Sequence, residues 1–290
     1  MEAIGSTPLI EIQGIRAKLE ISNPSGSIKD RMVWHMVKKA EESGELEEGD
    51  KIIEATSENT GVSFSMVSAV RGYDFTAVMP EDMSEEKREM MESFGASTVL
   101  TPEEEGMEGC MTKYEEITRR NPGAWLPRQF KNPDNVEAHR KTTGREIIEQ
   151  TEGEVDAFVA GVGTGGTLIG VAKALKDEGI DAEIVAVEPS ESAVLSGESS
   201  GTHGIEGIGE GFVPKIVERN RGLIDQVVKV DTKKAMEVSR ELCRRHGILV
   251  GPSSGANFHA SRQINKDKNE VVTVLPDSGD RYLPNYEPDI

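Results

Sequence analysis

Residues 156–176 read DAFVAGVGTGGTLIGVAKALK, and the order of residue types in this stretch decides how the chain is built. The short apolar run DAFVA suits a buried strand, and LIGVAKALK has helical character. Between them lies a glycine-rich loop, Gly161 to Thr167. Glycines there let backbone N–H groups crowd a phosphate at the positive end of a helix, and Thr164 and Thr167 add hydroxyl donors. The loop alone leaves its ligand open. A nicotinamide dinucleotide is one reading, since G-x-G-x-x-G is loosely met and Glu188 ends the following strand candidate, EIVAVE.

The same alternation extends in both directions. KIIEAT, DFTAVMP, STVLT, AFVAGV, EIVAVEP and EVVTVLP read as strands. SGSIKDRMVWHMVKKAEESG, NTGVSFSMVSAVRGY, MSEEKREMMESFG, VEAHRKTTGREIIEQ and GTLIGVAKALKDEG read as helices, with another in PEEEGMEGCMTKYEEITRRNPG. Strands alternating with helices predict an α/β fold of mostly parallel sheets joined by crossover helices. A chain of 290 residues predicts two lobes, and QFKNPDN marks a connection between them near Asn132.

Acidic residues outnumber basic ones 52 to 33, and the net charge of -19 argues against a nucleic acid or an anionic membrane as partner. No apolar run approaches the roughly 18 residues of a membrane span, and the opening MEAIGSTPLIEI has no secretory pattern. A cytoplasmic protein is expected. Cys110 and Cys243 stand far apart, and neither they nor the five histidines have metal-ligand spacing, so inert thiols in a reducing compartment and no metal site are expected.

Ligands of α/β sheets gather where strands hand over to helices, which singles out two further loops. TSENTG, Thr56 to Gly61, reads as helix capping or as a carboxylate receptor; GPSSGAN, Gly251 to Asn257, reads as a turn or as hydroxyls directed at a ring nitrogen. LPDSGDRYL, near the end, reads mainly as structural. In SGSIKDR, Lys29 stands among small residues as a candidate amine. A lysine that forms an imine with a carbonyl cofactor, plus a cradle for that cofactor's phosphate, suggests pyridoxal phosphate.

The blocks IGSTPLIEI, NPSGSIKDR, TSENTGVS, VMPEDMSEEKREMMESFGASTVLT, QFKNPDNVEAHRKTTGREI, AGVGTGGTLIGV, GIEGIGEGFVP, GILVGPSSGAN and LPDSGDRYL follow one another from Ile4 to Leu283. Together they closely resemble the cysteine synthase (O-acetylserine sulfhydrylase) and cystathionine β-synthase family of pyridoxal phosphate enzymes, of fold type II. The resemblance implies a two-lobed α/β enzyme. The smaller, mobile lobe covers 22–132 with the Schiff-base lysine and the carboxylate loop; the larger covers 1–21 with 133–290 and the phosphate loop. By position, Lys29 matches the lysine that holds pyridoxal 5′-phosphate and moves protons at the substrate α-carbon. Asn59 matches the partner of the ring 3′-oxygen, and Gly163, Thr164, Gly165, Gly166 and Thr167 match the phosphate cradle. Ser253 matches the serine at the pyridine nitrogen. Thr56, Ser57, Thr60 and Gln129 match contacts to the substrate carboxylate, and Gly207 lies in a loop bordering the site.

The implied reaction is β-replacement: O-acetylserine and sulfide give cysteine and acetate through an α-aminoacrylate. Alternatives are cystathionine β-synthase-like or cysteine desulfhydrase activity. A homodimer is implied, and association with a serine acetyltransferase is admitted. One departure bears on chemistry, because Glu58 stands where the family usually has glycine, inside the carboxylate loop. Its carboxylate either points away from the substrate or repels it, and a positive φ there would add steric cost. A catalytically silent, cofactor-binding relative is the reading that Glu58 motivates. Glu206 and Glu210, without a nearby arginine, disfavour a phosphorylated serine substrate if they face inward.

Overall fold

The computed structural model describes residues 1–56, 58–81 and 84–286. Along the chain come β1 (Leu9–Ile12), β2 (Ile15–Leu19) and helix α1 (Lys29–Ser43). There follow β3 (Lys51–Ala55), α2 (Asn59–Arg71), β4 (Asp74–Pro80), α3 (Glu85–Ser93), β5 (Ser97–Thr101) and α4 (Gly106–Arg120). Next are α5 (Pro133–Lys141), α6 (Thr143–Gln150), β6 (Ala157–Gly161), α7 (Gly166–Asp177) and β7 (Glu183–Pro189). The last are α8 (Lys215–Arg219), β8 (Gln226–Val230), α9 (Thr232–His246), α10 (Pro252–Ile264) and β9 (Val271–Leu275).

The chain divides into a smaller unit, Met32–Gln129 with Met1, and a larger one, Glu2–Arg31 with Phe130–Ile290. In the larger unit six strands run in the order β1-β2-β9-β6-β7-β8, parallel except for the β1–β2 pair. Its inner strands are buried on both faces, which is why they read as unbroken apolar runs. Phe158, Ala160, Ile184, Ala186, Val272 and Val274 pack with Leu168, Val171 and Leu175 of α7. The alternate residues, Ala157, Val159, Val185, Val187 and Val271, pack with Ala256, Ala260 and Ile264 of α10. After β6 the chain moves outward through β7 and β8, whereas β9 pairs on the other side of β6. That reversal opens a crevice at the carboxyl ends of β6 and β9, where the glycine loop begins and LPDSGDRYL starts.

The smaller unit has three parallel strands, β3-β4-β5. Cys110, Tyr114 and Ile117 of α4 pack on Ile53, Val78 and Val99. Phe75 points to the other face of β4 and stacks on Phe64 of α2 with ring centroids 5.5 Å apart. Burial pushes the Cys110 thiol up to about 11, so it is inert.

Three strands and three helices lie where no element was read, among them α10, whose first turns are the GPSSGAN stretch read as a turn. β1, β2 and β8 carry Glu11, Arg16, Lys18 and Lys229, which interrupt their apolar residues. Helix α9 is mostly polar outside Ala235, Val238 and Leu242, and α8 has five residues. VEAHRKTTGREIIEQ, read as one helix, breaks at Thr142 (φ -119°, ψ -80°) into α5 and α6.

The SGSIKDR block groups with the larger unit, beyond the division drawn at residue 22, because two sets of bonds tie it there. Ile28 N–H donates to the Pro276 carbonyl at 2.8 Å, and Ser27 bridges Asp277. Two residues past Lys29, Arg31 is 2% exposed and meets Glu20 at 2.7 Å and Glu146 at 2.6 Å. Lys18, fully buried, reaches Glu146 at 2.7 Å. Burial alone would raise the Glu146 carboxyl, but Arg31 and Lys18 hold it down to about 2. Arg31→Met leaves the Glu20 carboxylate buried without its counter-charge. It is expected to lower unfolding free energy by about 3–5 kcal/mol in urea titrations at neutral pH, while a loss under about 1 kcal/mol would show that Glu20 is satisfied without Arg31.

Candidate active site

In the larger unit, Lys29 is half-buried and opens α1, its backbone N–H facing Ser27 Oγ at 3.4 Å. The acid beside it turns away: Asp30 accepts from Ser25 N–H at 2.7 Å and Ser25 Oγ at 2.5 Å. The terminal turn holds the same loop from outside. Ser278 N–H donates to the Gly26 carbonyl, Arg281 Nη2 donates to the Ser25 carbonyl, and Tyr282 Oη donates to Asp277 at 2.5 Å. LPDSGDRYL is therefore the brace that sets the lysine loop at the end of β9.

The glycine loop leaves the neighbouring strand, β6. A Cβ on Gly163 would stand 2.3 Å from the Gly207 carbonyl oxygen, and Gly165 adopts φ +84° with Val217 2.4 Å from where a Cβ would lie. Only glycine allows the turn and the close approach. Thr164 Oγ1 accepts from Gly166 N–H and from Asn135 Nδ2 at 3.0 Å, and Thr167 Oγ1 meets His139 Nε2 at 3.3 Å. The first turn of α7 thus presents its N–H groups from a loop locked on its outer side. Gly207 (φ +84°) belongs to the loop packed on this turn, where Gly209 N–H donates to the Val162 carbonyl. In that loop Glu210 is solvent-exposed, with Oε1 3.8 Å from the would-be Gly163 Cβ and with Lys29 among the charges acting on it.

Ser253, 3% exposed, sits in the first turn of α10, behind Gly251, whose N–H donates to the Asp277 carbonyl. Asn257, one turn on, ties the crevice together. Its Oδ1 accepts from Gly161 N–H at 2.7 Å, and its Nδ2 donates to the Val274 carbonyl at 3.0 Å, joining the ends of β6 and β9. Asn257 closes the GPSSGAN loop but was given no role on sequence; a fully buried amide in a helix otherwise lined by small residues is the signal that points to it.

In the smaller unit, Thr56 is buried at the end of β3, and its Oγ1 accepts from Glu58 N–H at 3.4 Å. Ser57 lies outside the described residues. Asn59 and Thr60 begin α2 and are buried, and Thr60 Oγ1 donates to Gln129 Oε1 at 2.8 Å. Glu58 caps α2 with φ -117° and ψ -168°, extended backbone open to any residue, so glutamate carries no conformational penalty there. Its carboxylate meets Lys87 Nζ at 2.5 Å.

Beneath them Glu54, 4% exposed, accepts from the N–H groups of Arg128 and Gln129, each at 3.1 Å, and holds Arg128 at φ +54°. Desolvation pushes its carboxyl up to about 7 although both N–H donors favour the charge.

The larger unit's residues fit pyridoxal phosphate. A three-glycine cradle at a helix start suits a dianionic phosphate, a buried hydroxyl suits a ring nitrogen, and an amine stands on the adjoining strand end. Among the described residues no cluster of His, Cys, Asp and Glu could hold a metal, and no helix is long and apolar enough to cross a membrane.

Because Glu54 titrates above its ordinary 4.5, the folded state keeps its proton longer than the unfolded state. Its contribution is full below about 4.5 and is lost as pH rises through about 7, on the order of 3 kcal/mol. Relative to Glu54→Gln, the parent's unfolding free energy is therefore expected to fall between pH 5 and 8; parallel pH profiles in denaturant titrations would refute this.

Residues 1–277 match the family model described as "Pyridoxal-phosphate dependent enzyme". A cysteine synthase of Staphylococcus aureus is 45% identical over 294 residues, covering 97% of this chain and 94% of its own. The solved O-acetylserine sulfhydrylase isoform 3 of Entamoeba histolytica superposes with a TM-score of 0.94 at 42% identity, covering 100% of this chain and 91% of its own. A hydrogen sulfide-producing enzyme of Fusobacterium nucleatum superposes with a TM-score of 0.92 at 37% identity, covering 97% and 96%. With the cradle, the lysine loop and these matches in agreement, the chain belongs to the pyridoxal-phosphate dependent enzymes, in the cysteine synthase and cystathionine β-synthase family of fold type II.

Proposed function

We propose that this protein converts O-acetylserine and sulfide into cysteine and acetate. The observation that carries the reading is that the lysine loop and the glycine loop hang on the ends of neighbouring strands, β9 and β6, joined by Asn257. When bound, pyridoxal phosphate supplies a carbonyl that takes an amine covalently and a conjugated ring that accepts electron density from the amino acid's α-carbon.

The chain's residues divide the remaining work. Gly163, Thr164, Gly165, Gly166 and Thr167 would hold the phosphate, and Asn59 the ring 3′-oxygen. Ser253 would meet the ring nitrogen with a neutral hydroxyl, which does not enforce protonation as a carboxylate would; that favours prompt loss of a β-leaving group. Thr56, Ser57, Thr60 and Gln129 would receive the substrate carboxylate, with Gly207 bordering the site. Lys29 Nζ removes the proton from the α-carbon as acetate departs with the Cβ–O electron pair, and returns it once sulfur is bonded to the β-carbon. The same reading carries a cytoplasmic homodimer and association with a serine acetyltransferase.

Purified, cofactor-loaded protein is expected to form cysteine from O-acetylserine and sulfide, and far less cystathionine from serine and homocysteine; chromatography of products decides, and the reverse preference would overturn the assignment. Lys29→Ala should lose the absorption band of the lysine-bound cofactor and at least about 10³-fold in turnover, and undiminished turnover would refute Lys29 as the proton carrier.

A further inference from the structure

The Glu58–Lys87 pair raises a question that the family reading leaves open: how a carboxylate is tolerated in a loop proposed to receive one. Glu58 is the cap residue of α2, immediately before Asn59 and Thr60, and its backbone carbonyl accepts from Gly61 N–H at 2.8 Å. A carboxylate released at such a position would stay at the positive end of α2, where the proposed reading places the incoming α-carboxylate. It would also repel that carboxylate at close range.

Helix α3 supplies the counterforce. Lys87 lies in its first turn, where its N–H donates to the capping Ser84 Oγ at 3.3 Å, and its side chain is fully buried while that of Glu58 is 21% exposed. The Nζ meets Glu58 Oε2 at 2.5 Å. One turn on, Met91 packs against the start of α2, with Sδ 2.6 Å from where a Cβ on Gly61 would lie. Thus α3 braces the loop by charge at Glu58 and by packing at Gly61.

We infer that Lys87 is a positioning residue for substrate selection: by holding the Glu58 carboxylate on α3 it keeps the first turn of α2 open to the carboxylate of an α-amino acid. Lys87 acts through Glu58 and takes no part in bond making. The inference rests on the proposed role of the Thr56–Gln129 group.

The test uses cofactor-loaded protein, titrated with L-serine and with ethanolamine, its decarboxylated analogue, and followed by cofactor absorbance. Lys87→Met, and independently Glu58→Asp, which falls one methylene short of Lys87 in a partly exposed loop position, should weaken serine binding by about tenfold and leave ethanolamine within about threefold. Lys87→Arg should bind serine like the parent, and the double variant Glu58→Gly with Lys87→Met should recover it. Equal weakening of both ligands, or no recovery in the double variant, would overturn the inference. Cysteine formation by the parent is scored separately: a parent that makes cysteine while the variants show no serine-specific loss refutes only the Lys87 role. A parent that makes no cysteine while the serine-specific loss persists refutes only the proposed reaction.

Discussion

The hydrogen bond from Ile28 N–H to the Pro276 carbonyl is the constraint on which the arrangement depends, because it hangs the lysine loop on the end of β9. Everything nearby restrains that attachment. Asp277, Ser278 and Arg281 bind the loop from one side, with Tyr282 holding Asp277, and the cluster of buried Arg31 and Glu20 with Glu146 anchors its exit into α1. In the role proposed for Lys29, a lysine that meets a carbonyl carbon and later an α-proton needs its backbone held rigidly, so that the flexible side chain alone sets its reach.

The crevice beside it follows from strand order. Because β9 pairs with β6 on the side opposite β7, two loops diverge there and leave room for a ligand, with the N-terminus of α7 directed into that space. Asn257 then fixes the spacing of the two strand ends with one side-chain amide, donating to one and accepting from the other. The glycines complete the cradle, since a side chain at position 163 would collide with the Gly207 carbonyl.

Much of this was legible in order of residues. Six strands announced themselves: β4, β6, β7 and β9 because burial on both faces demands β-branched and small apolar residues, and β3 and the half-exposed edge strand β5 through short β-branched runs. β1, β2 and β8 were not, since charged residues break their runs, and α9 was hidden by its polar face although Asp231 caps it and Gly247 ends it. Lys29, the glycine loop and the hydroxyl loops were nameable from local chemistry and family resemblance. Asn257, Glu54 and Lys87 were not, because each acts through partners distant in sequence or on another helix.

Sequence by itself determined the α/β alternation and the glycine-rich turn, and singled out Lys29 as the candidate amine, since each rests on short-range requirements: buried strands, glycine dihedrals and one side chain's chemistry. Tertiary structure alone decided two matters. It assigned the lysine loop to the larger unit through bonds spanning some 250 residues of chain, as between Ile28 and Pro276. It also settled the conformation of Glu58. A glutamate in place of glycine reads as strain or repulsion until its φ proves extended and its charge is met by a buried lysine from a neighbouring helix. Dihedral angles and ion-pair partners are properties of packing, and a linear order of residues does not contain them.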